Sequence, residues 1–334
     1  MRGGVPRTRP RLRRVKILVT GGAGFIGSHY VRRLLGVEDV WVTVLDALTY
    51  AGNLRNLDEC RGDRLAFVEG DVCDESLVDK LMAGHDAVVH FAAETHVDRS
   101  IKKSHPFVRT NVLGTQVLLS AALEAGVPRF VQVSTDEVYG SVETGSWRED
   151  QPLAPRSPYA ASKAAADLLA LSYHATYGLD VVVVRCSNTY GPQQFPEKLI
   201  PLFVTRFLDG RPAPLYGDGL NVRDWLHVSD CCAGIHLALS SGRSGEVYHV
   251  GGGNELTNVD LVGRLVTACG VGAELIEHVA DRAGHDRRYS LNFDKARDEL
   301  GYAPAVDLQQ GLAETVAWYR ENRWWWEPLV AGGV

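Results

Sequence analysis

Residues 16–36 read KILVTGGAGFIGSHYVRRLLG. A short β-rich run, KILVT, meets glycines at 21, 24 and 27, and then SHYVRRLLG, whose apolar residues recur at helical spacing. A strand that turns on glycine into a helix allows close backbone approach to a pyrophosphate, which then sits at the helix N-terminus. A glycine triad alone is a weak signal, so the next segment decides. VWVTVLD (40–46) reads as a second strand ending in Asp46, where a carboxylate can accept hydrogen bonds from ribose hydroxyls. The same carboxylate repels the extra phosphate of NADP, which makes NAD the expected cofactor.

The alternation continues outward. LAFVEGD (65–71), a helix near 75–83, DAVVHFAAE (86–94), a helix near 107–125 and RFVQVST (129–135) precede a polar, Pro-rich loop at 145–158. An Ala-rich helix over 159–177 and DVVVVRCS (180–187) follow. Apolar strands alternating with helices predict an α/β fold, a Rossmann-type doubly wound parallel sheet covered on both faces. Residues 15–187 are expected to form the NAD-binding domain. Beyond Asn188 the texture becomes richer in Pro and Gly. It predicts a smaller mixed α/β substrate lobe over 188–330, with about 225–252, including EVYHVGG, returning to the sheet. Asp71, after the third strand, reads equally as a contact to adenine or a plain turn residue. Trp324–Trp326 reads as a packing anchor.

A chain of 334 residues with 45% hydrophobic and 23% charged content suits one large domain or two closely joined ones. No apolar run is long enough to span a bilayer, and the N-terminus lacks the apolar core of a secretory signal. The six cysteines show no CxxC pair and no metal-ligand rhythm, so reduced thiols, a cytoplasmic location and no metal are expected. Residues 1–16 hold six Arg and one Lys and no acid, which leaves 28 basic against 41 acidic residues, or −13, for the rest of a chain of net charge −6. The segment 1–14 reads as a disordered basic leader rather than a nucleic-acid or lipid contact. Gly3, Gly4 and Pro6 discourage an amphipathic helix. The acidic body argues against nucleic-acid binding.

Two further motifs carry chemistry. YAASK sets Tyr159 and Lys163 four apart on one helix face. A free phenol, with a pKa near ~10, is a poor base at neutral pH. A nearby ammonium and the positive nicotinamide ring are expected to lower that value, so that Tyr159 can take a hydroxyl proton as hydride leaves for NAD. VSTDEVYG (133–140) ends a strand in Thr135, Asp136 and Glu137. Alone, such a pair is a solvated strand exit. Beside a Tyr–Lys pair it offers an acid and a base to a substrate.

These segments resemble the extended short-chain dehydrogenase/reductase family, and HFAAETHVDRS, VSTDEVYGS, SPYAASKA, RCSNTYGPQQFPEKLIP, PLYGDGLNVRDWLHV, GGGNELTN and DRAGHDRRYS are similar to its dTDP-glucose 4,6-dehydratases. The likeness runs from about Lys16 to the Trp cluster. It implies a hydro-lyase acting on dTDP-glucose, with Asp136 as acid, Glu137 as base and Thr135 bonding the sugar near O4. It implies cofactor contacts from Gly21, Gly24, Phe25, Ile26, Gly27, Asp46, Leu48, Thr49, Asp71, Val72, Phe91, Ala92, Ala93, Thr95, Thr110, Tyr159, Lys163 and Thr189. For the nucleotide sugar it nominates Thr95, His96, Thr135, Asn188, Glu197, Lys198, Leu199, Pro214, Tyr216, Arg223, Asn258, Arg282, His285 and Tyr289. Arg223 and Arg282 suit phosphate oxygens. His285 is a phosphate donor or an ordinary loop histidine, and Lys198 a ligand or a solvated helix start. Two departures stand out: AAETH where the family has AAESH, and SNTYGP where it has SNNYGP, at Thr95 and Thr189. The family also implies a homodimer through a four-helix bundle, for which the helices near 107–125 and 159–177 are apolar enough. A 4-epimerase and a non-catalytic NAD sensor are the competing readings.

Overall fold

The computed structural model describes residues 14–37 and 39–331, so the basic leader up to residue 13 lies outside the described residues. Six strands, β1 (Val15–Thr20), β2 (Val40–Asp46), β3 (Leu65–Glu69), β4 (Ala87–His90), β5 (Phe130–Thr135) and β6 (Val181–Cys186), alternate with helices. They are followed by β7 (Asn188–Tyr190), β8 (Ala213–Tyr216), β9 (Val222–His227), β10 (Val247–Val250), β11 (Glu255–Thr257) and β12 (Ile276–Val279). One seven-stranded sheet runs β10-β6-β5-β4-β1-β2-β3 with its neighbours parallel. The order reverses at β1. The crevice beyond the carboxyl ends of β1 and β4 is where such a sheet binds dinucleotides.

The sheet's sequence follows from its burial. VVVVRC of β6 is buried at every position, which is why it reads as a continuous apolar run rather than an alternating one. Val182 and Val184 pack with Tyr30 and Ile235 on one face. Val181 and Val183 pack with Leu118 and Ala170 on the other. The helix Pro158–Tyr177 starts where Ser157 accepts from the Ala160 N–H and Pro158 occupies the first turn, and it stops at Gly178 in the left-handed region. The helix expected near 107–125 is a composite: His105–Phe107, a π-helical turn at Val108–Leu113, then Gly114–Glu124. A π turn of this kind often marks a functional position, and it carries Thr110.

After β6 the chain builds smaller layers. β7, β9 and β11 form a three-stranded sheet, and β8 pairs with β12. Of the stretch 225–252, β10 joins the large sheet beside β6, whereas residues 225–227 belong to β9 in the three-stranded sheet. A third core joins these layers to the C-terminal helices, with Trp325 and Trp326 at its centre. Their indoles donate to Asn56 Oδ1 and Tyr319 O. Trp324 is 55% exposed, so two of the three tryptophans do the anchoring. No helix among the described residues is long and apolar enough to cross a membrane.

Candidate active site

The glycine turn is built for close approach. Gly21 has φ +70, and a Cβ there would lie 2.6 Å from Ala92 N. A Cβ at Gly27 would lie 2.2 Å from Gly21 O. Only hydrogen fits at either place, and the backbone of the turn is left open to a bulky anion. Asp46, nearly buried, accepts from Ala23 N–H through Oδ2 and from Leu48 N–H through Oδ1, each at 2.9 Å. The second bond holds Leu48 at φ +47, unusual for a branched residue. Each oxygen keeps a further lone pair for a ribose hydroxyl. Thr49 follows in the same loop. Asp71 and Val72 follow β3, and Phe91, Ala92 and Ala93 follow β4, so these expected contacts share one sheet edge.

Burial pushes the Asp71 carboxyl up, but the Cys73 N–H and the Arg109 guanidinium outweigh it and hold the group below its usual range. Phe25 and Ile26 open the first helix. The Thr189 hydroxyl donates to Ser187 O at 3.1 Å, so the family's amide is replaced by a group already engaged within the chain. The turn, the acid and the strand-end loops fit NAD.

The reacting groups meet at the end of β5. Thr135 caps the short turn Asp136–Tyr139, accepting from the Glu137 N–H at 3.3 Å. Its hydroxyl also hydrogen-bonds Asp136 Oδ1 at 3.2 Å and the Tyr159 phenol. Tyr159 and Lys163 are both buried on the Pro158–Tyr177 helix. The Lys163 ammonium donates to Val133 O at 2.7 Å, which ties the helix to β5. The lowering expected of the phenol rests on the ammonium together with the nicotinamide ring, and the rest of the chain works against it. Within the protein, burial and then the Glu137 charge push Tyr159 well above the usual phenol range, and burial lowers Lys163.

The carboxylates differ in their surroundings. Asp136 is 2% exposed, and its Oδ2 has no hydrogen-bond partner in the protein. Burial first, then the Glu137 charge, push it well above the carboxylate range, with Asp224 adding to the effect. Burial raises Glu137 too, and Arg282, Arg223 and Lys198 oppose that rise without reversing it. Both carboxyls are thus raised, Asp136 the more strongly, which makes Asp136 the better placed of the two to hold a proton and Glu137, among its cations, the better placed to give one up.

Glu137 opens into a cavity of about 340 Å³. Every residue nominated for the nucleotide sugar lines it except Thr135. Thr95 and His96 come from the loop after β4, and the Thr95 carbonyl accepts from Lys198 Nζ at 2.8 Å. Burial lowers His96 to about 4, so it is a neutral imidazole. Asn188 and Asn258 each have a buried carbonyl oxygen with no partner in the protein. Glu197 accepts from Tyr50 at 2.9 Å. Lys198 caps the helix that Leu199 opens. Pro214 and Tyr216 come from β8.

The Arg223 guanidinium donates to the carbonyls of Val222 and Asp286 rather than to a carboxylate, and lies 4.2 Å above the Tyr289 ring. Its charge, with those of Lys198 and Arg282, suits a diphosphate. His285 lines the cavity and has a partner within the chain. Its Nδ1 lies 2.6 Å from Asp281 Oδ1, and burial lowers its pKa. As a neutral ring it commits its one N–H to Asp281, so it donates to a phosphate only when doubly protonated. Sequence reading missed Asp98, which accepts from Tyr216 at 3.1 Å and faces Arg282 at 3.5 Å. The signal was present in HVDRS, two residues beyond His96. Leu202 and Phe203, which also line the cavity, sit on an ordinary apolar helix stripe and give no such signal.

Comparison with known proteins agrees with this geometry. Residues 18–315 match the family model described as GDP-mannose 4,6 dehydratase. The chain is 64% identical over 319 residues to a dTDP-glucose 4,6-dehydratase of Actinoplanes sp., covering 93% of this chain and 100% of the relative. It is likewise 64% identical to one of Streptomyces antibioticus, over 94% of this chain and 95% of the relative. Among solved structures it is similar to DesIV, a dTDP-glucose 4,6-dehydratase from Streptomyces venezuelae with NAD and TYD bound, at 59% identity and a TM-score of 0.93, covering 94% of this chain and 100% of that one. The chain belongs to the NAD-dependent nucleotide-sugar epimerase/dehydratase family. Within it, the likeness is to the dTDP-glucose 4,6-dehydratases.

Proposed function

We propose that the chain is a hydro-lyase that converts dTDP-glucose to dTDP-4-keto-6-deoxyglucose. The observation that carries this reading is the placing of the two carboxyls beside Tyr159: Asp136 buried, with Oδ2 unpartnered and its pKa raised the more strongly, and Glu137 facing Arg282, Arg223 and Lys198 at the cavity. An epimerase, which leaves C5 and C6 alone, has no use for that pair.

Bound NAD supplies a place for the C4 hydrogen to go as hydride and from which it returns to C6. Tyr159 takes the C4 hydroxyl proton, with Thr135 orienting both oxygens. The resulting 4-ketone acidifies C5–H, and Glu137 removes that proton. Asp136 gives its proton to the departing C6 hydroxyl, which leaves as water. Glu137 then returns its proton to C5. The proton gained by Tyr159 equals the one lost by Asp136, so the cycle balances. Glycines 21, 24 and 27 with Asp46 hold the dinucleotide, and Lys198, Arg223 and Arg282 hold the diphosphate. Residues 15–187 thus serve mainly the cofactor and residues 188–330 mainly the nucleotide.

Incubation with dTDP-glucose, UDP-glucose and GDP-mannose in separate reactions tests this. Mass spectrometry and NMR should show a 4-keto-6-deoxy product from the first with the other two largely unreacted; a 4-epimer instead would overturn the reading.

The same chain is proposed to pair with a second copy. Val108 (55%), Leu113 (46%) and Leu168 (59%) are exposed on the helices that cover one face of the sheet, the pair that resembles the family's bundle. Light scattering at twice the chain mass is the expected result, and a monomer would end this part of the proposal.

A further inference from the structure

Behind the reacting groups lies a set of buried polar side chains for which the proposed reaction has no role. Arg185, on β6, is 3% exposed. Its Nε donates to Asp167 Oδ2 at 2.9 Å, and Asp167 lies one helical turn beyond Lys163. Another guanidinium nitrogen donates to the Tyr139 hydroxyl. Tyr139 closes the turn that begins with Asp136 and Glu137. Its hydroxyl lies 2.7 Å from His249 Nε2, and His249 Nδ1 lies 2.8 Å from Asn292 O.

With a neutral His249 these contacts permit one arrangement of protons. A carbonyl only accepts, so His249 carries its hydrogen on Nδ1 and presents a bare Nε2. Tyr139 must then donate its hydroxyl proton to Nε2 while its oxygen accepts from Arg185. Burial lowers the His249 pKa to about 3, which keeps the ring neutral and selects this arrangement. Every link is directed, and the chain runs without a break from the helix of Tyr159 and Lys163 to the turn of Asp136 and Glu137. Trp147 stacks on the Tyr139 ring, with the ring centroids 5.6 Å apart.

We infer that Asp167, Arg185, Tyr139 and His249 form a positioning unit that sets the elimination pair, Asp136 and Glu137, relative to the oxidation pair, Tyr159 and Lys163. The inference rests on the dehydratase reading and deepens it. A surrounding group of this kind matters because a small misplacement of a reacting group is costly. Oxidation depends on groups held by the helix itself, whereas elimination depends on a short turn that needs an outside tether. Loss of the tether should therefore fall unequally on the two steps.

The test is Tyr139→Phe in the full-length enzyme with dTDP-glucose. The kcat should fall roughly ten- to hundredfold with KM within about twofold of wild type. Reduced nicotinamide should accumulate in the steady state, and exchange of C5–H with deuterated water should slow. Turnover close to wild type would overturn the inference, as would a fall in kcat with no build-up of reduced cofactor, because a general loss of packing slows both steps together. His249→Leu, which removes the acceptor from the other side, should give the same partition and serves if Tyr139→Phe does not fold. Wild-type enzyme in the same assay keeps the two claims apart: its failure to dehydrate dTDP-glucose would count against the functional reading, whereas normal wild-type turnover with unpartitioned variants counts against the positioning unit alone.

Discussion

Glu137→Gln should lower steady-state turnover roughly a thousandfold while reduced nicotinamide builds up on the enzyme. The amide keeps the size and hydrogen-bonding reach of the carboxylate but cannot take the C5 proton. Two electrostatic consequences sharpen the effect. The Glu137 charge is, after burial, the largest influence raising Asp136, so its removal drops the acid's pKa and makes Asp136 less able to hold the proton it must deliver. The same charge is the next influence after burial in raising Tyr159. Its removal eases ionisation of the phenol, so oxidation at C4 survives. The step before elimination is favoured and elimination is blocked, and the enzyme stalls between them. Single-turnover absorbance of the bound cofactor reads this directly. Normal turnover, or loss of turnover with the cofactor remaining oxidised, would show that Glu137 is not the base.

What the sequence disclosed and what it withheld divide along a physical line. The glycine turn and the alternation of strands are local, because contact between Gly27 and Gly21 O, or between Asp46 and the Leu48 N–H, is set by neighbouring residues. The apolar run at 181–186 likewise announces a strand covered on both faces. The motifs around Thr135 and Tyr159 were legible as types of chemistry. Their energetics were not, because the Tyr159 pKa is set by burial and by carboxylates on another element, while the lysine four residues away spends its ammonium on Val133 O. Long-range pairings gave no signal at all. Asp167 with Arg185, Tyr139 with His249 and Asp98 with Arg282 are separated by 18, 110 and roughly 180 positions and become partners only when the sheet order is known. The pairing of β9 with β7 and β11 is of the same kind.

Tyr159→Phe should act one step earlier and leave a different trace. Without the hydroxyl, no group is placed to take the C4 proton, and turnover should fall by about three to four orders of magnitude with the cofactor remaining oxidised. Adding Glu137→Gln to Tyr159→Phe should abolish the reduced nicotinamide that Glu137→Gln alone accumulates, since oxidation comes first. The pH dependence carries a signed test of the same order. The working form of Tyr159 is the phenolate, and burial with the Glu137 and Asp136 charges makes that form costly. The rate of cofactor reduction in a single turnover should therefore rise with pH in wild type. In Glu137→Gln one of those charges is gone, the phenol ionises more readily, and the rising limb should move to lower pH. A limb that stays in place or moves upward would mean that the reducing step is governed by some group other than the Tyr159 phenol.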